Sequence, residues 1–172
     1  MMIETPRLIL RTWEERDRAP FAAMNADAEV MHDLGGPIGR DVSDAKLDRY
    51  AAAFTRDGYS RWVVESRDGT FLGYTGVMHR FEPAIGEHDE IAWRLVRDAW
   101  GHGYATEATR AALRDVFTRA KLTEVLSYTS ADNLRSQAVM AKAGLQRDPA
   151  RDFIADFGRG DWHGFMWVAR PR

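Results

Sequence analysis

The chain has 172 residues, 45% of them hydrophobic and 29% charged, with a formal net charge of −2. That balance suits one globular domain over residues 1–172, able to bury roughly 70% of its unfolded surface. It excludes a disordered chain and argues against nucleic-acid binding. The absence of cysteine excludes disulfides, thiolate metal ligands and a cysteine nucleophile. No apolar run approaches the roughly 20 residues of a membrane span, and residues 1–11 are too charged for a signal peptide, so a cytoplasmic protein is expected.

Arg7 to Trp13 is β-prone and reads as a first strand. Asp17 suits an N-cap, with Pro20 in the first turn of a helix carrying Phe21, Met24 and Ala28. Gly35-Gly36-Pro37 breaks the chain. A second helix follows from about Ser43, with Leu47, Tyr50 and Phe54 on one face and Gly58 as its stop. Arg61 to Ser66 and Thr70 to Met78 flank Arg67-Asp68-Gly69, a hairpin signal. After an irregular Glu82 to Gly86, Asp89 to Val96 forms a third antiparallel strand. The main helix, about Tyr104 to Ala120, stacks Ala108, Ala112, Val116 and Ala120. A strand from Leu122 to Thr129 precedes a helix from Leu134 to Ala143 that Gly144 stops. Two strands close the chain, near Leu145 to Ile154 and Gly164 to Arg170, with Phe157-Gly158-Arg159-Gly160 between them. The order predicts an α/β fold of α+β type: a mixed, mostly antiparallel central sheet of about seven strands flanked by four helices. One parallel crossover joins the Glu90 strand to the Leu122 strand through the main helix.

The stretch Trp100-Gly101-His102-Gly103-Tyr104-Ala105-Thr106-Glu107-Ala108 lies between a strand and a helix start. Gly101 and Gly103 let the backbone approach a phosphate and take positive φ. The first helical amides have no carbonyl partner, and the helix dipole adds roughly half a positive charge there. This is an anion cradle suited to a diphosphate-bearing cofactor. A P-loop is excluded because Gly-x-x-x-x-Gly-Lys-Ser/Thr does not occur. A dinucleotide-binding fold fits poorly: Thr106 stands where a third Gly or Ala belongs, and the next strand ends in Ser127-Tyr128-Thr129 without an acid.

Several motifs occur in order: Glu4-Thr5-Pro6-Arg7-Leu8-Ile9-Leu10-Arg11, Glu90-Ile91-Ala92-Trp93, Trp100 to Ala108, Asn133-Leu134-Arg135-Ser136 and Lys142-Ala143-Gly144-Leu145. Together they resemble the GNAT superfamily of acyl-CoA N-acyltransferases, in particular the branch containing the ribosomal-protein N-terminal (alanine/serine) acetyltransferases. The resemblance implies acetyl-CoA as co-substrate, without a metal, and an amine acceptor. The acceptor is read as the α-amino group of a protein or peptide. A small amine (polyamine, amino acid or aminoglycoside) is the alternative, and a non-catalytic acyl-CoA sensor is the alternative from another class. A homodimer is common among such relatives.

The same resemblance implies roles for individual residues. Backbone groups of Leu95 and Val96 pair with the pantetheine arm, and an amide near Val96 donates to the thioester oxygen. Amides from His102 through Gly103, Tyr104 and Ala105 to Thr106 hold the pyrophosphate, beside Trp100 and Gly101. Trp100 occupies the first position of the family's Gln/Arg-x-x-Gly-x-Gly/Ala motif, so no polar role is expected of it. Glu90 is the candidate general base, against the reading of a solvent-facing strand residue. A tyrosine that many members place four residues before the helix-ending glycine is Met140 here, so Ser136 is the candidate proton donor to the departing thiolate. Ser136 read as a first-turn hydroxyl, and a thiolate leaving unaided, are the alternatives. Asn133 contacts cofactor or caps its helix. The acceptor lies between about Asn25 to Arg40 and Arg147 to His163. There Asp27, Glu29, Asp33, Asp148, Asp152, Asp156 and Asp161 either meet a cationic acceptor or form a solvated rim. His32, His79, His88 and His163 lack ligand spacing. Trp93, Phe157, Trp162 and Trp167 read mostly as core, with Trp93 and Trp162 alternatively lining the acceptor site.

Overall fold

The computed structural model describes residues 1–171. Among the described residues it holds β1 (Met2–Glu4), β2 (Leu8–Arg11), α1 (Arg18–Asn25), α2 (Arg40–Asp57), β3 (Arg61–Ser66), β4 (Phe71–Glu82) and β5 (Gly86–Leu95). There follow α3 (Tyr104–Thr118), β6 (Val125–Thr129), α4 (Leu134–Ala143), β7 (Gln146–Arg147), β8 (Phe153–Asp156) and β9 (Asp161–Ala169). The strands form one sheet in the order β1-β2-β3-β4-β5-β6-β9-β7, with β8 also paired to β9. β5 and β6 run parallel and the other pairs are antiparallel. The mixed, mostly antiparallel architecture with four helices and one parallel crossover is therefore the expected one.

The strand count differs: nine strands are present rather than about seven. β1 adds three residues by pairing with β2. The stretch expected as one strand from Leu145 to Ile154 is split, because Pro149 opens a 3-10 turn and cannot donate to a ladder. The segment Glu82 to Gly86, expected to be irregular, is the tight end of a long β4–β5 hairpin, closed by the pair Glu82↔Gly86. α1 ends at Asn25, so Ala28 lies outside it, and α2 starts three residues earlier than expected, at Arg40.

Asp17 precedes α1 but makes no side-chain cap to it. Its carboxylate takes two bonds from the Arg11 guanidinium, at 2.7 and 2.8 Å, and accepts from the Glu14 amide. Arg11 also pairs with Glu65 at 2.6 Å, and all three side chains are at most 9% exposed. One buried cation thus fastens the α1 approach to β2 and β3.

α3 lays Ala108, Ala111, Ala112, Leu113 and Val116 on one sheet face, against Leu8, Trp62, Val64, Val77 and Ile91. The alanines let the helix approach closely, and each fully buried large side chain contributes about 1.5–3 kcal/mol. On the opposite face Phe21, Met24, Leu47 and Tyr50 from α1 and α2 pack on Trp13, Val63, Tyr74 and Met78. β5 accordingly turns Ile91 and Leu95 toward α3 and Arg94 toward the α1–α2 loop, where it bonds Asp33. Gly73 of β4 permits the close β4–β5 approach: its φ is 137°, and a Cβ there would strike the Arg94 carbonyl oxygen. Among the described residues no helix is long and apolar enough to cross a membrane.

Candidate active site

The two central strands part after Glu90↔Leu126, the pair that joins β5 to β6. A cleft of about 1220 Å³ opens there. Its walls include Trp93, Arg94 and Leu95 of β5, Gly101, Gly103, Tyr104 and Ala105 of the turn and α3, and Asn133 and Ser136 at the start of α4. Its far end reaches Val30, His32 and Asp33 of the α1–α2 loop and Trp162 of β9. One cleft therefore runs through the gap in the sheet from the glycine turn before α3 to the α1–α2 loop and β9.

Backbone polarity decides which amides serve the gap. The Val96 N–H donates to the Leu72 carbonyl at 2.9 Å, so it is committed to β4. Strand alternation then directs the Leu95 N–H away from β4, toward the cleft. The Val96 N–H is therefore not free for the donor role expected near it, and Leu95 lines the cleft where Val96 does not. Trp100 is corrected too: its Nε1–H donates to the Leu95 carbonyl at 3.0 Å, a polar role despite the departure from the motif.

The turn before α3 has the expected form. Gly101 and Gly103 both have φ 77°, and Gly103 is the left-handed N-cap of α3 with no side-chain cap. The leading amides of Tyr104, Ala105 and Thr106 consequently remain available. His102 does not line the cleft; its carbonyl accepts from Arg7 at 2.7 Å and its ring stacks on Tyr104. Sequence reasoning missed what braces this turn. Glu107 accepts from the Thr5 hydroxyl at 2.6 Å, the Arg7 amide at 3.0 Å and Arg7 Nε at 2.7 Å. The signal was present in two separate motifs, Thr5-Pro6-Arg7 and Thr106-Glu107, which only the fold brings together.

Burial opposes ionisation of Glu107, but the bonds from Thr5 and Arg7 outweigh it and hold the carboxyl below its ordinary range. A depressed folded pKa stabilises the protein above the unfolded value, about 4.3, and that contribution is lost as pH falls through the folded value. Glu107→Gln is therefore expected to lower the melting temperature at pH 7 and to converge with wild type in acid. A pH-independent difference between the two melting curves would contradict this. The same variant should weaken CoA binding by about tenfold, through a loosened turn.

Asn133 caps α4, its Oδ1 accepting the Ser136 amide at 3.2 Å. Ser136 is half-buried on the cleft wall, while Met140 is buried in the core. Glu90 lies at the closed end of the gap, on the β5 face that carries Arg94, and is not part of the cleft lining. Arg61 Nη2 approaches its carboxylate at 3.1 Å, and Arg61 Nη1 donates to its carbonyl at 2.7 Å. Burial, and then the Glu90 charge, push the nearby Tyr128 hydroxyl up from its ordinary range. Tyr128 packs edge-on to Trp162, so Glu90 borders the acceptor end through that ring.

Trp93 and Trp162 line the cleft, whereas Phe157 is 51% exposed at the hairpin tip rather than in the core. The expected acidic rim is largely spent. Asp33 pairs with Arg94 at 2.9 Å, Glu29 with Arg97 at 2.8 Å and Asp152 with Arg147 at 2.6 Å. Asp27 and Asp156 accept backbone amides of their own turns. Asp148 and Asp161 keep no partner among the described residues. The tip guanidinium of Arg159 lies against Gly35, so the β8–β9 hairpin touches the α1–α2 loop over the acceptor end.

A split parallel pair, a glycine-capped helix facing the split and an opening on the other side define an acetyl-CoA-dependent N-acetyltransferase. Residues 7–146 match the acetyltransferase (GNAT) domain, and the chain belongs to that family. It is 30% identical over 151 residues to the Bacillus subtilis protein YkkB, covering 82% of this chain and 83% of that one. It is 39% identical over 151 residues to an Aspergillus fumigatus FsC-acetyl coenzyme A-N(2)-transacetylase, covering 83% of this chain and 64% of that one. An Agrobacterium tumefaciens acetyltransferase structure superposes with TM-score 0.83 at 23% identity, over 99% of this chain and 95% of that one. The fold is shared with the ribosomal L7/L12 alpha-N-protein acetyltransferase RimL (TM-score 0.78, 16% identity, 99% and 98% of the two chains). It is shared also with Vibrio cholerae spermidine N-acetyltransferase (TM-score 0.74, 17% identity, 96% of each chain).

Proposed function

We propose that the protein transfers the acetyl group of acetyl-CoA to the α-amino group of a peptide or protein. The observation that carries this choice is the spent acidic rim. Asp33, Glu29 and Asp152 are paired with arginines and Asp27 and Asp156 are bound into their own turns, which leaves Asp148 and Asp161 as the acids of this rim without a partner among the described residues, fewer than a polycation trap calls for. Trp93 and Trp162 offer aromatic walls suited to the first side chains of a peptide. The neighbouring folds include both a ribosomal-protein acetyltransferase and a spermidine acetyltransferase, so small amines form the competing class.

In this reading the main-chain amides of Tyr104, Ala105 and Thr106 hold the pyrophosphate, and the Leu95 N–H faces the oxygen that gains charge as the acceptor nitrogen attacks. Such a donor is worth about 10²–10³ in rate. Glu90 draws the acceptor ammonium and takes its proton through water, because an amine with a pKa near 10.4 is otherwise mostly protonated at neutral pH. As the new C–N bond forms and the C–S bond breaks, the Ser136 hydroxyl gives a proton to the departing sulfur.

The test is thiol release from acetyl-CoA, read with a colorimetric thiol reagent against free N-terminal peptides, N-blocked lysine peptides, polyamines and an aminoglycoside. The chain has no cysteine to react with the reagent. Release with free N-terminal peptides alone is the expected result. Turnover of a polyamine or aminoglycoside would move the assignment to a small-amine enzyme. Acetyl-CoA binding without turnover of any amine would favour a sensor.

A further inference from the structure

Two guanidinium groups pack on the Trp100 ring. Arg97, from its own turn, has Cζ 4.8 Å from the ring centroid, and Arg135, from the first turn of α4, has Cζ 3.7 Å from it. The indole is itself fixed by its bond to the Leu95 carbonyl. The charges of the cleft arginines are used differently. Arg94 is paired with Asp33 and Arg97 with Glu29. Arg135 lines the same cleft, is exposed, and makes no ion pair among the described residues. It is an uncompensated guanidinium, oriented by an aromatic face, at the one place where α4 meets the turn leading into α3.

We propose that Arg135 is a phosphate-binding residue that grips the pyrophosphate of acyl-CoA from the α4 side, opposite the α3 amides, with Trp100 as its platform. A planar guanidinium can keep its face on an indole while its edge N–H groups bond phosphate oxygens in pairs. The helix terminus supplies only about half a positive charge, so a diphosphate held there lacks a full counter-charge. Trp100 directly precedes Gly101 and its indole bonds the Leu95 carbonyl, so a guanidinium stacked on that ring stays in the cleft between β5, the glycine turn and the start of α4. The assignment rests on acyl-CoA as co-substrate and is independent of the acceptor.

The test is calorimetric titration of the full chain with CoA, 3′-dephospho-CoA and pantetheine, for wild type, Arg135→Gln and Arg135→Lys. Arg135→Gln should bind CoA and dephospho-CoA about 10–100-fold more weakly and pantetheine unchanged. Arg135→Lys keeps the charge without the planar stack and should recover only part of the loss. An unchanged Kd for CoA would overturn the proposal, as would a loss confined to CoA, which would assign Arg135 to the 3′-phosphate. A loss shared by pantetheine would mean a displaced α4, and full recovery with lysine would remove Trp100 from the role. Wild-type binding of CoA in the same titration separates failure of this assignment from failure of the acyl-CoA reading.

Discussion

Glu90→Gln is expected to lower kcat by about 10²–10⁴ while leaving acetyl-CoA affinity nearly unchanged. Glu90 shares the Arg94 face of β5, whereas the proposed phosphate site is the start of α3. The two functions should therefore separate into a kcat effect and an unaffected Kd. Arg61, only 3% exposed, fixes the carboxylate from below, and Arg80 Nε adds a second positive group at 3.8 Å. Glutamine keeps the shape and can still accept from Arg61, but it cannot attract an ammonium or hold its proton. The acidic limb of the kcat/KM profile, where the base must be free of its proton, should change in the variant, which a purely structural role would not produce. An unchanged kcat would return Glu90 to a structural ion pair with Arg61. Because the substitution leaves Arg61 without its counter-charge, the melting temperature should be read alongside the rate.

Arg11→Met is expected to cost about 3–5 kcal/mol of folding stability, measured by urea unfolding. Removing the guanidinium leaves Asp17, at 2% exposure, without a cation and leaves Glu65, at 8%, with only the exposed Arg16 at 3.3 Å. The cost comes mainly from those uncompensated charges, so Arg11→Met/Asp17→Asn/Glu65→Gln should regain most of it. A loss below about 1 kcal/mol in the single variant would mean that water reaches the site and solvates both acids. This network lies on β2, β3 and the entry to α1, away from the cofactor turn, so CoA binding should survive at temperatures where the variant is folded.

Local chemistry was legible wherever a residue acts on its own neighbours. α4 has the expected bounds because Asn133 caps it and Gly144 stops it within a few residues. The turn at Gly101 and Gly103 was legible for the same reason, since positive φ is a property of the residue itself. The β3 bounds were also as expected, with a hairpin signal directly behind them. Elements whose ends depend on a partner strand were less so. β1 exists through its pairing with β2, and β4 and β5 run past their apolar stretches because an antiparallel ladder can extend wherever both backbones remain in register. Asp17 shows the limit most directly: its type and position suit a helix cap, yet a buried arginine six residues earlier takes its carboxylate.

The amino-acid order alone thus settles the α/β class, the parallel crossover, the glycine turn that opens α3 and, through motif resemblance, the acetyltransferase family. Those properties are written in local spacing and in ordered short patterns. Tertiary structure decides the rest: that Leu95 rather than Val96 faces the gap, that Glu107 braces the turn through Thr5 and Arg7, that Asp33, Glu29 and Asp152 of the acidic rim are paired with arginines, and that Trp100 carries Arg135 on its face. Each depends on which groups distant in the chain are brought within hydrogen-bond or stacking range. Because a polar group already paired is no longer free to meet a ligand, that pairing determines which of the candidate residues remain available to act.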